Sequence, residues 1–83
     1  MMRLEILTPV KILYQGQADL VQLPGKMGSF EILKNHAPLV ALLGKGRIKV
    51  IDTDRNIHYI NIPGGTVQVR KNRITVLAVP EQG

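Results

Sequence analysis

Short runs rich in apolar and β-branched residues recur along the whole chain, and turn-forming residues separate them. No segment of about ten residues keeps the roughly 3.6-residue period of an amphipathic helix, so the pattern predicts an all-β fold. The predicted strands cover residues 3–8, 11–15, 17–23, 29–33, 38–43, 46–52, 57–62, 65–70 and 73–79. Closely spaced strands with short turns favour a two-sheet β-sandwich or flattened barrel of about nine or ten short strands.

The connections between the predicted strands carry turn signals of their own. Gly16 is assigned to a turn after Tyr14, and the polar run 52–56 is assigned to a hairpin loop. Lys71-Asn72 predicts a tight connection in which Asn takes the left-handed conformation.

The length and composition limit the classes of protein that the chain can represent. Its 83 residues predict a single domain over residues 1–83, near the size at which one core gives marginal stability. The absence of cysteine excludes disulfides, thiolate catalysis and cysteine-based zinc sites. The start of the chain lacks the apolar run of a signal peptide, and no run approaches the roughly 20 residues that span a bilayer. We therefore expect a soluble, cytoplasmic protein.

A net charge of +5, from 11 Lys and Arg against 6 acids, leaves two interpretations open. Most cations are isolated, as on solvent-facing strand positions, and only Arg47/Lys49 and residues 70–73 cluster. The alternative is a small basic nucleic-acid-binding β-domain. Such domains stack bases on aromatic side chains, whereas Tyr14, Phe30 and Tyr59 fall in three different segments, which favours the first interpretation.

Two predicted strands, Leu39–Leu43 and Val76–Val79, are apolar on both faces, unlike the alternating segments 47–50 and 66–70. One explanation is that these strands lie at sandwich corners or fold over the open end of a barrel. The other is that a partner subunit covers their outer face. The exposed apolar area distinguishes the two explanations.

Residues capable of chemistry are sparse. His36 and His58 are about twenty residues apart with no cysteine and only scattered carboxylates, so we predict no metal site. No nucleophile elbow, phosphate-binding glycine loop or dinucleotide fingerprint is present, so we predict neither an enzyme nor a bound cofactor. A lipoyl or biotinyl carrier domain is a further alternative of this size, with Lys26-Met27 as the nearest candidate for the modified hairpin, but the context those families use is absent.

Three segments together resemble the N-terminal domain of the epsilon subunit of F-type ATP synthases. They are a Leu-Pro-Gly turn leading into a Gly-x-Phe-x-Ile-Leu strand and an Asn-His-Ala-Pro-Leu segment (residues 23–39), a Gly-Gly-Thr-Val-Gln-Val strand (64–69) and an Ile-Thr-Val-Leu-Ala strand (74–78). No single tripeptide is specific to the family, but the order and spacing of the three segments are. The resemblance covers nearly the whole chain.

The resemblance implies a β-sandwich that holds the foot of the gamma subunit, rests on the polar loops of the membrane c-ring and helps to couple proton or sodium flow to ATP synthesis. The implied location is peripheral, on the cytoplasmic face of the bacterial inner membrane. The residues matching the ring-facing loop are Lys26, Met27, Gly28, Ser29, Phe30 and Glu31. Those matching the gamma-facing position and the stretch that meets gamma and the ring together are Thr8, Asn35, His36, Ala37, Pro38 and Leu39.

The chain departs from the family pattern in three places. Ser29 stands where many relatives carry an acid, and Glu31, on the same strand face, is the hypothetical replacement for that charge. Lys34 replaces a common Pro. The family's C-terminal helical hairpin and its nucleotide-binding motif have no counterpart, so we expect no C-terminal helical domain, no hairpin-type inhibition and no ATP binding.

Overall fold

A computed structural model describes residues 1–80 of the chain, and within that range it contains strands and turns but no helix. The all-β prediction is therefore confirmed. The eight strands are β1 (Met2–Leu7), β2 (Ile12–Leu23), β3 (Phe30–Leu33), β4 (Leu39–Leu43), β5 (Gly46–Asp52), β6 (Ile57–Ile62), β7 (Gly65–Arg70) and β8 (Arg73–Ala78).

The strands form one continuous hydrogen-bonded sheet in the order β4-β7-β8-β1-β2-β5-β6, and β3 pairs with β2 off this path. All pairs are antiparallel except β1 with β8, which is parallel. A single cluster of buried apolar side chains draws on all eight strands. One sheet can share one core among all its strands only by folding over on itself, so the architecture is the expected β-sandwich.

The core follows directly from the alternation along the strands. In β1, Met2, Leu4 and Ile6 are buried, while Arg3 between them is exposed. β7 and β8 alternate in the same way. Among residues 1–80 no polar or charged residue is buried, so the core is held by apolar packing.

The predicted turn at Gly16 is wrong, because Gly16 lies within a strand. β2 runs without interruption for 12 residues, and Gly16 pairs with Leu4 of β1 in the middle of that ladder. The strand continues through Gly16, and its two halves pair with different strands. The first half pairs with β1 and the second with β3 and β5. A register shift between Ala18 and Leu20 marks the change of neighbour. Two predicted strands are thus one, which reduces the nine to eight.

The predicted hairpin connections are confirmed. Lys71 and Asn72 both have positive φ, 50° and 61°, as a two-residue turn with the twist of its strands requires. In the 52–56 loop, the Asp52 carboxylate accepts hydrogen bonds from the backbone N–H groups of Asp54 and Asn56, each at 2.9 Å. The Asp52 side chain thus stabilises the loop by bonding to its backbone.

Candidate functional site

An open groove of about 570 Å³ runs along the edge of the sandwich between the β2–β3 loop and β4. We refer to it as the edge groove. Its lining residues are Gly25, Lys26, Met27, Gly28, Phe30, His36, Leu39, Ala41 and Leu42. The walls are mostly apolar, and Met27 at the loop tip is 100% exposed. A fully exposed Met beside half-buried Phe30 is a surface suited to an apolar contact.

Backbone hydrogen bonds across the open edge fix the first wall of the groove. The N–H of Lys26 donates to the Leu42 carbonyl at 3.0 Å, and the N–H of Gly44 donates to the Pro24 carbonyl at 2.8 Å. Gly25 and Leu43 form an isolated antiparallel bridge. The loop after β2 is therefore fastened to β4, although the two are separated by many residues in sequence.

The loop conformation depends on its two glycines. A Cβ at Gly25 would lie 2.6 Å from the Gly28 carbonyl oxygen and 2.8 Å from the Phe30 ring, so no side chain fits there. Gly28 has a φ of 128°, a conformation that residues with a side chain rarely adopt. The Gly28 N–H closes the turn on the Gly25 carbonyl at 3.1 Å. The glycine of the Leu-Pro-Gly turn is therefore required on steric grounds.

The second wall is the β3–β4 connection, whose first half is held by hydrogen bonds at Asn35 and His36. The His36 N–H donates to the Leu33 carbonyl at 3.1 Å, and Asn35 takes a φ of 67°. Asn72, in the β7–β8 turn, accepts from the Asn35 N–H at 2.6 Å and donates from Nδ2 to Asn35 Oδ1 at 3.1 Å. His36 Nδ1 lies 2.7 Å from the Ala37 carbonyl oxygen, which places the ring proton on Nδ1.

The structure brings together only part of the predicted contact set. Lys26, Met27, Gly28, Phe30, His36 and Leu39 line the edge groove. Ser29 and Glu31 are exposed but do not line the groove; Ser29 borders a separate hollow, and Glu31 is paired across the sheet with Gln22. Asn35, Ala37 and Pro38 are exposed in the β3–β4 connection.

Thr8 lies apart from the groove, in the β1–β2 turn. Its hydroxyl accepts from the Lys11 N–H at 3.1 Å and its N–H donates to the Lys11 carbonyl at 2.9 Å, so it closes this turn. Three groove residues were not predicted as contacts: Gly25, Ala41 and Leu42. The signal for the last two was present, because they belong to the segment that is apolar on both faces.

The strands with two apolar faces are not covered within the described residues. Leu42 is 60% exposed and Leu77 is 55% exposed, although β8 has hydrogen-bonded neighbours, β7 and β1, on both sides. Cross-strand pairing connects Leu42 through Thr66 to Leu77, then Leu77 to Leu7 and Leu7 to Ile12. We term this line across the outer face the apolar row. Its exposure favours the second explanation given above, coverage by a partner.

A hydrogen-bonded pair holds the β5–β6 hairpin. His58 Nε2 lies 2.8 Å from Asp52 Oδ2, and the Tyr14 ring lies 5.3 Å from the His58 ring. The hydrogen bond from His58, followed by the backbone donors of Asn56 and Asp54, holds the pKa of Asp52 below its usual range. Burial, and then the Asp52 charge, raises the pKa of Tyr14. The pair joins the two strands of the hairpin, Asp52 at the end of β5 and His58 in β6. No Ser or Thr hydroxyl in residues 1–80 is hydrogen-bonded to either histidine.

Across the described part of the chain, no three His, Asp or Glu side chains are grouped as metal ligands. Residues 1–80 also contain no helix that is long and apolar enough to cross a bilayer.

The fold and its surfaces define a small β-sandwich domain with an open edge. The chain belongs to the family described as ATP synthase, Delta/Epsilon chain, beta-sandwich domain, whose model matches residues 1–79. This finding confirms the resemblance drawn from the sequence.

Similar proteins include ATP synthase epsilon chains of two bacterial genera. That of Leptospira interrogans is 38% identical over 76 residues, which are 92% of this chain and 59% of the relative. That of Campylobacter jejuni subsp. doylei is 44% identical over 75 residues, 90% of this chain and 58% of the relative. The chain thus spans somewhat under three fifths of these relatives. The expectation that no helical hairpin follows the sandwich concerns chain beyond the described residues and stays a prediction.

Two solved structures share the fold. A chain of the Euglena gracilis mitochondrial ATP synthase superposes with a TM-score of 0.88 at 17% identity, covering 95% of this chain and 51% of that one. A chain from the central stalk and c-ring structure of the Tetrahymena thermophila mitochondrial ATP synthase superposes with a TM-score of 0.78 at 17% identity, covering 95% and 63%.

Proposed function

We propose that this chain is a non-catalytic subunit of the central stalk of an F-type ATP synthase, joining a gamma-type subunit to the polar loops of a membrane ring. The observation that carries the proposal is the edge groove, a rigidly fastened apolar surface with a fully exposed Met27 at its rim. Family membership and the named epsilon relatives support it. In this role the domain transmits torque by adhesion, supports the coupling of proton or sodium flow to synthesis, and is peripheral on the cytoplasmic face of the inner membrane.

The proposed ring-facing surface comprises residues 26–31, and the adjoining stretch 35–39 is proposed to meet gamma and the ring together. Most of these residues are exposed, which a contact surface requires. They are also held in place, because hydrogen bonds tie residue 26 to β4 and residue 35 to the β7–β8 turn. A pre-organised loop loses little conformational entropy when it binds, so such anchoring favours recognition.

The proposed gamma-facing surface is the apolar row with the adjoining Thr8. Leu7 belongs to the row and Thr8 follows it in the β1–β2 turn, so the two features share one end of the sheet. Burying exposed Leu and Ile side chains against a partner contributes roughly 25 cal/mol per Å² of apolar area. A second subunit would thus cover the face that the chain itself leaves open.

Charge reversal of Glu31, with Asp54 as the matched control, tests the ring-facing assignment. Both carboxylates are exposed, and Asp54 lies in the β5–β6 loop at a distance in sequence from the groove. The full chain, expressed with its gamma and ring subunits, is purified through a tag on gamma. Glu31→Lys should reduce recovery of the ring with the complex, whereas Asp54→Lys should not. Equal effects of the two variants would refute the role of Glu31, and failure of the wild-type chain to copurify with gamma would refute the proposed function.

The nucleic-acid alternative rests on the positive charge and finds little support in the arrangement of the aromatic rings. Tyr14 and Phe30 are half-buried and pack against the core, and the exposed Tyr59 ring is covered by Arg47 at 4.1 Å. Three rings in such different settings do not form a stacking platform. Retention of the chain on immobilised nucleic acid, falling steeply with salt, would favour the alternative.

A further inference from the structure

Four basic residues lie together at the end of the sheet that carries the β7–β8 turn. Arg70 on β7 pairs directly with Arg73 on β8, and Arg73 is in register with Arg3 on β1. Lys71 lies in the turn itself. All four are exposed, and the three arginines alternate with buried neighbours, so they share the outer face. We term them the cationic row.

The cationic row is unfavourable for the isolated fold. Directly opposite residues on antiparallel strands have Cβ atoms roughly 4.5–5.5 Å apart, and like charges there destabilise the pairing. In residues 1–80 the one ion pair within 4.0 Å is His58 with Asp52, so no carboxylate lies within ion-pair distance of the row. Glu5, two residues along β1 from Arg3, accepts a hydrogen bond from Gln15 Nε2 at 3.3 Å instead. Within the described residues the cationic row therefore has no ion-paired carboxylate.

A shallow hollow beside the cationic row adds neutral donors to the charges. It is lined by Gln68, Arg70, Lys71, Arg73 and Thr75. Gln68 and Thr75 are direct cross-strand partners, so an amide and a hydroxyl lie next to the Arg70–Arg73 pair. Guanidinium groups bind phosphate oxygens in a bidentate manner, and hydroxyl and amide groups complete such sites. No aromatic ring lines the hollow, so it offers nothing on which a base would stack.

We propose that the cationic row binds phosphate groups. The four charges spread over three strands and one turn of an exposed face, which suits phosphodiester headgroups at an anionic phospholipid surface. The hollow between Arg70 and Arg73 equally suits a small soluble phosphate such as pyrophosphate. The recognising chemistry is the same for both sources, and it does not depend on the proposed role in the central stalk.

Vesicle and calorimetric binding of the full chain test this proposal in two arms. The first measures cosedimentation with phosphatidylglycerol vesicles against phosphatidylcholine vesicles, and the second measures heat on titration with pyrophosphate. The test variant is Arg70→Gln/Arg73→Gln, and the matched control is Lys11→Gln/Lys45→Gln, which changes the net charge equally at exposed positions elsewhere. The test variant should weaken binding in both arms, by about thirtyfold on vesicles, as two basic side chains near an anionic surface contribute. The control should change it by less than about threefold.

The two sources of phosphate are separated by a charge-conserving variant. Arg70→Lys/Arg73→Lys should keep vesicle binding, which depends on charge, but weaken pyrophosphate binding, which depends on the bidentate fork. Thermal unfolding provides the folding check, and the Gln variant should unfold at a higher temperature than wild type at low salt because the repulsion is gone. The proposal is overturned if neither arm shows binding, or if the control loses as much binding as the test variant.

Discussion

At the scale of single residues, Gly65 is the position where the backbone most strongly restricts which amino acid can be accommodated. Its φ is 155°, and a Cβ there would overlap the Leu77 carbonyl oxygen in the neighbouring strand. We expect Gly65→Ala to destabilise the fold by about 2 kcal/mol or more, from backbone strain and a lost ladder contact. Urea unfolding followed by circular dichroism measures this cost.

Gly16 provides the comparison for that substitution. A Cβ at Gly16 would meet only the Tyr14 ring, at 3.6 Å or more, which is an ordinary contact. Gly16→Ala should therefore leave stability unchanged or raise it by about 0.5–1 kcal/mol, because Ala restricts the unfolded chain. Comparable losses in the two variants would show that the distinction between these glycines is wrong.

Asp52 predicts a pH dependence of stability with a definite sign. Its pKa is lowered in the folded state by the hydrogen bonds from His58, Asn56 and Asp54. A lowered folded pKa contributes stability that is present above the unfolded pKa and lost as the pH falls through the folded one. Asp52→Asn should thus be less stable than wild type near pH 7, and the difference should shrink as the pH falls through the range in which the folded Asp52 carboxyl is protonated. A difference that persists at the acid end contradicts this assignment.

At the scale of elements, the sequence predicted the strands with clean alternation best. β5, β6 and β7 agree with the predicted ranges 46–52, 57–62 and 65–70 residue for residue. Gly16 misled because a glycine between two β-rich runs is normally a turn signal, whereas here the partner strand β1 overrides local propensity. A 12-residue strand that changes neighbours midway has no signature in local periodicity, since the change is a property of the long-range pairing.

The β3–β4 connection depends on a side chain from a different hairpin. Asn72→Gly keeps the left-handed turn, because Gly adopts a φ of 61° without strain, but removes both hydrogen bonds to Asn35. Hydrogen exchange of the Asn35 and His36 amides should accelerate about five- to tenfold, with little change in global stability. Asn72→Asp retains an acceptor for the Asn35 N–H and should preserve most of the protection. Unchanged exchange in the Gly variant would remove Asn72 as the anchor.

At the scale of the whole molecule, the candidate surfaces are assembled from distant segments. The family pattern supplied Lys26, Met27 and His36 as contacts, but the inclusion of Ala41 and Leu42 follows from the bridge between the β2–β3 loop and β4. The cationic row likewise joins Arg3 to residues near position 70 through parallel pairing of the first and last strands. No short stretch of the sequence contains these combinations of residues. The sequence therefore indicated which residue types take part, but not which of them lie together on one surface.

The apolar row provides the last test, because it distinguishes a subunit interface from an incidental apolar surface. Leu77 lies in the row and is 55% exposed, and Ile57 is 52% exposed at the start of β6, outside the row. Leu77→Gln should weaken retention by a gamma-type subunit about tenfold, because the partner loses an apolar contact and must desolvate an amide. Ile57→Gln, which removes the same kind of exposed side chain, should leave retention unchanged. Biolayer interferometry on immobilised gamma measures both.

Because both side chains are exposed, neither change should lower the unfolding temperature substantially. Equal retention of the two variants would therefore mean that gamma binds elsewhere on the sandwich.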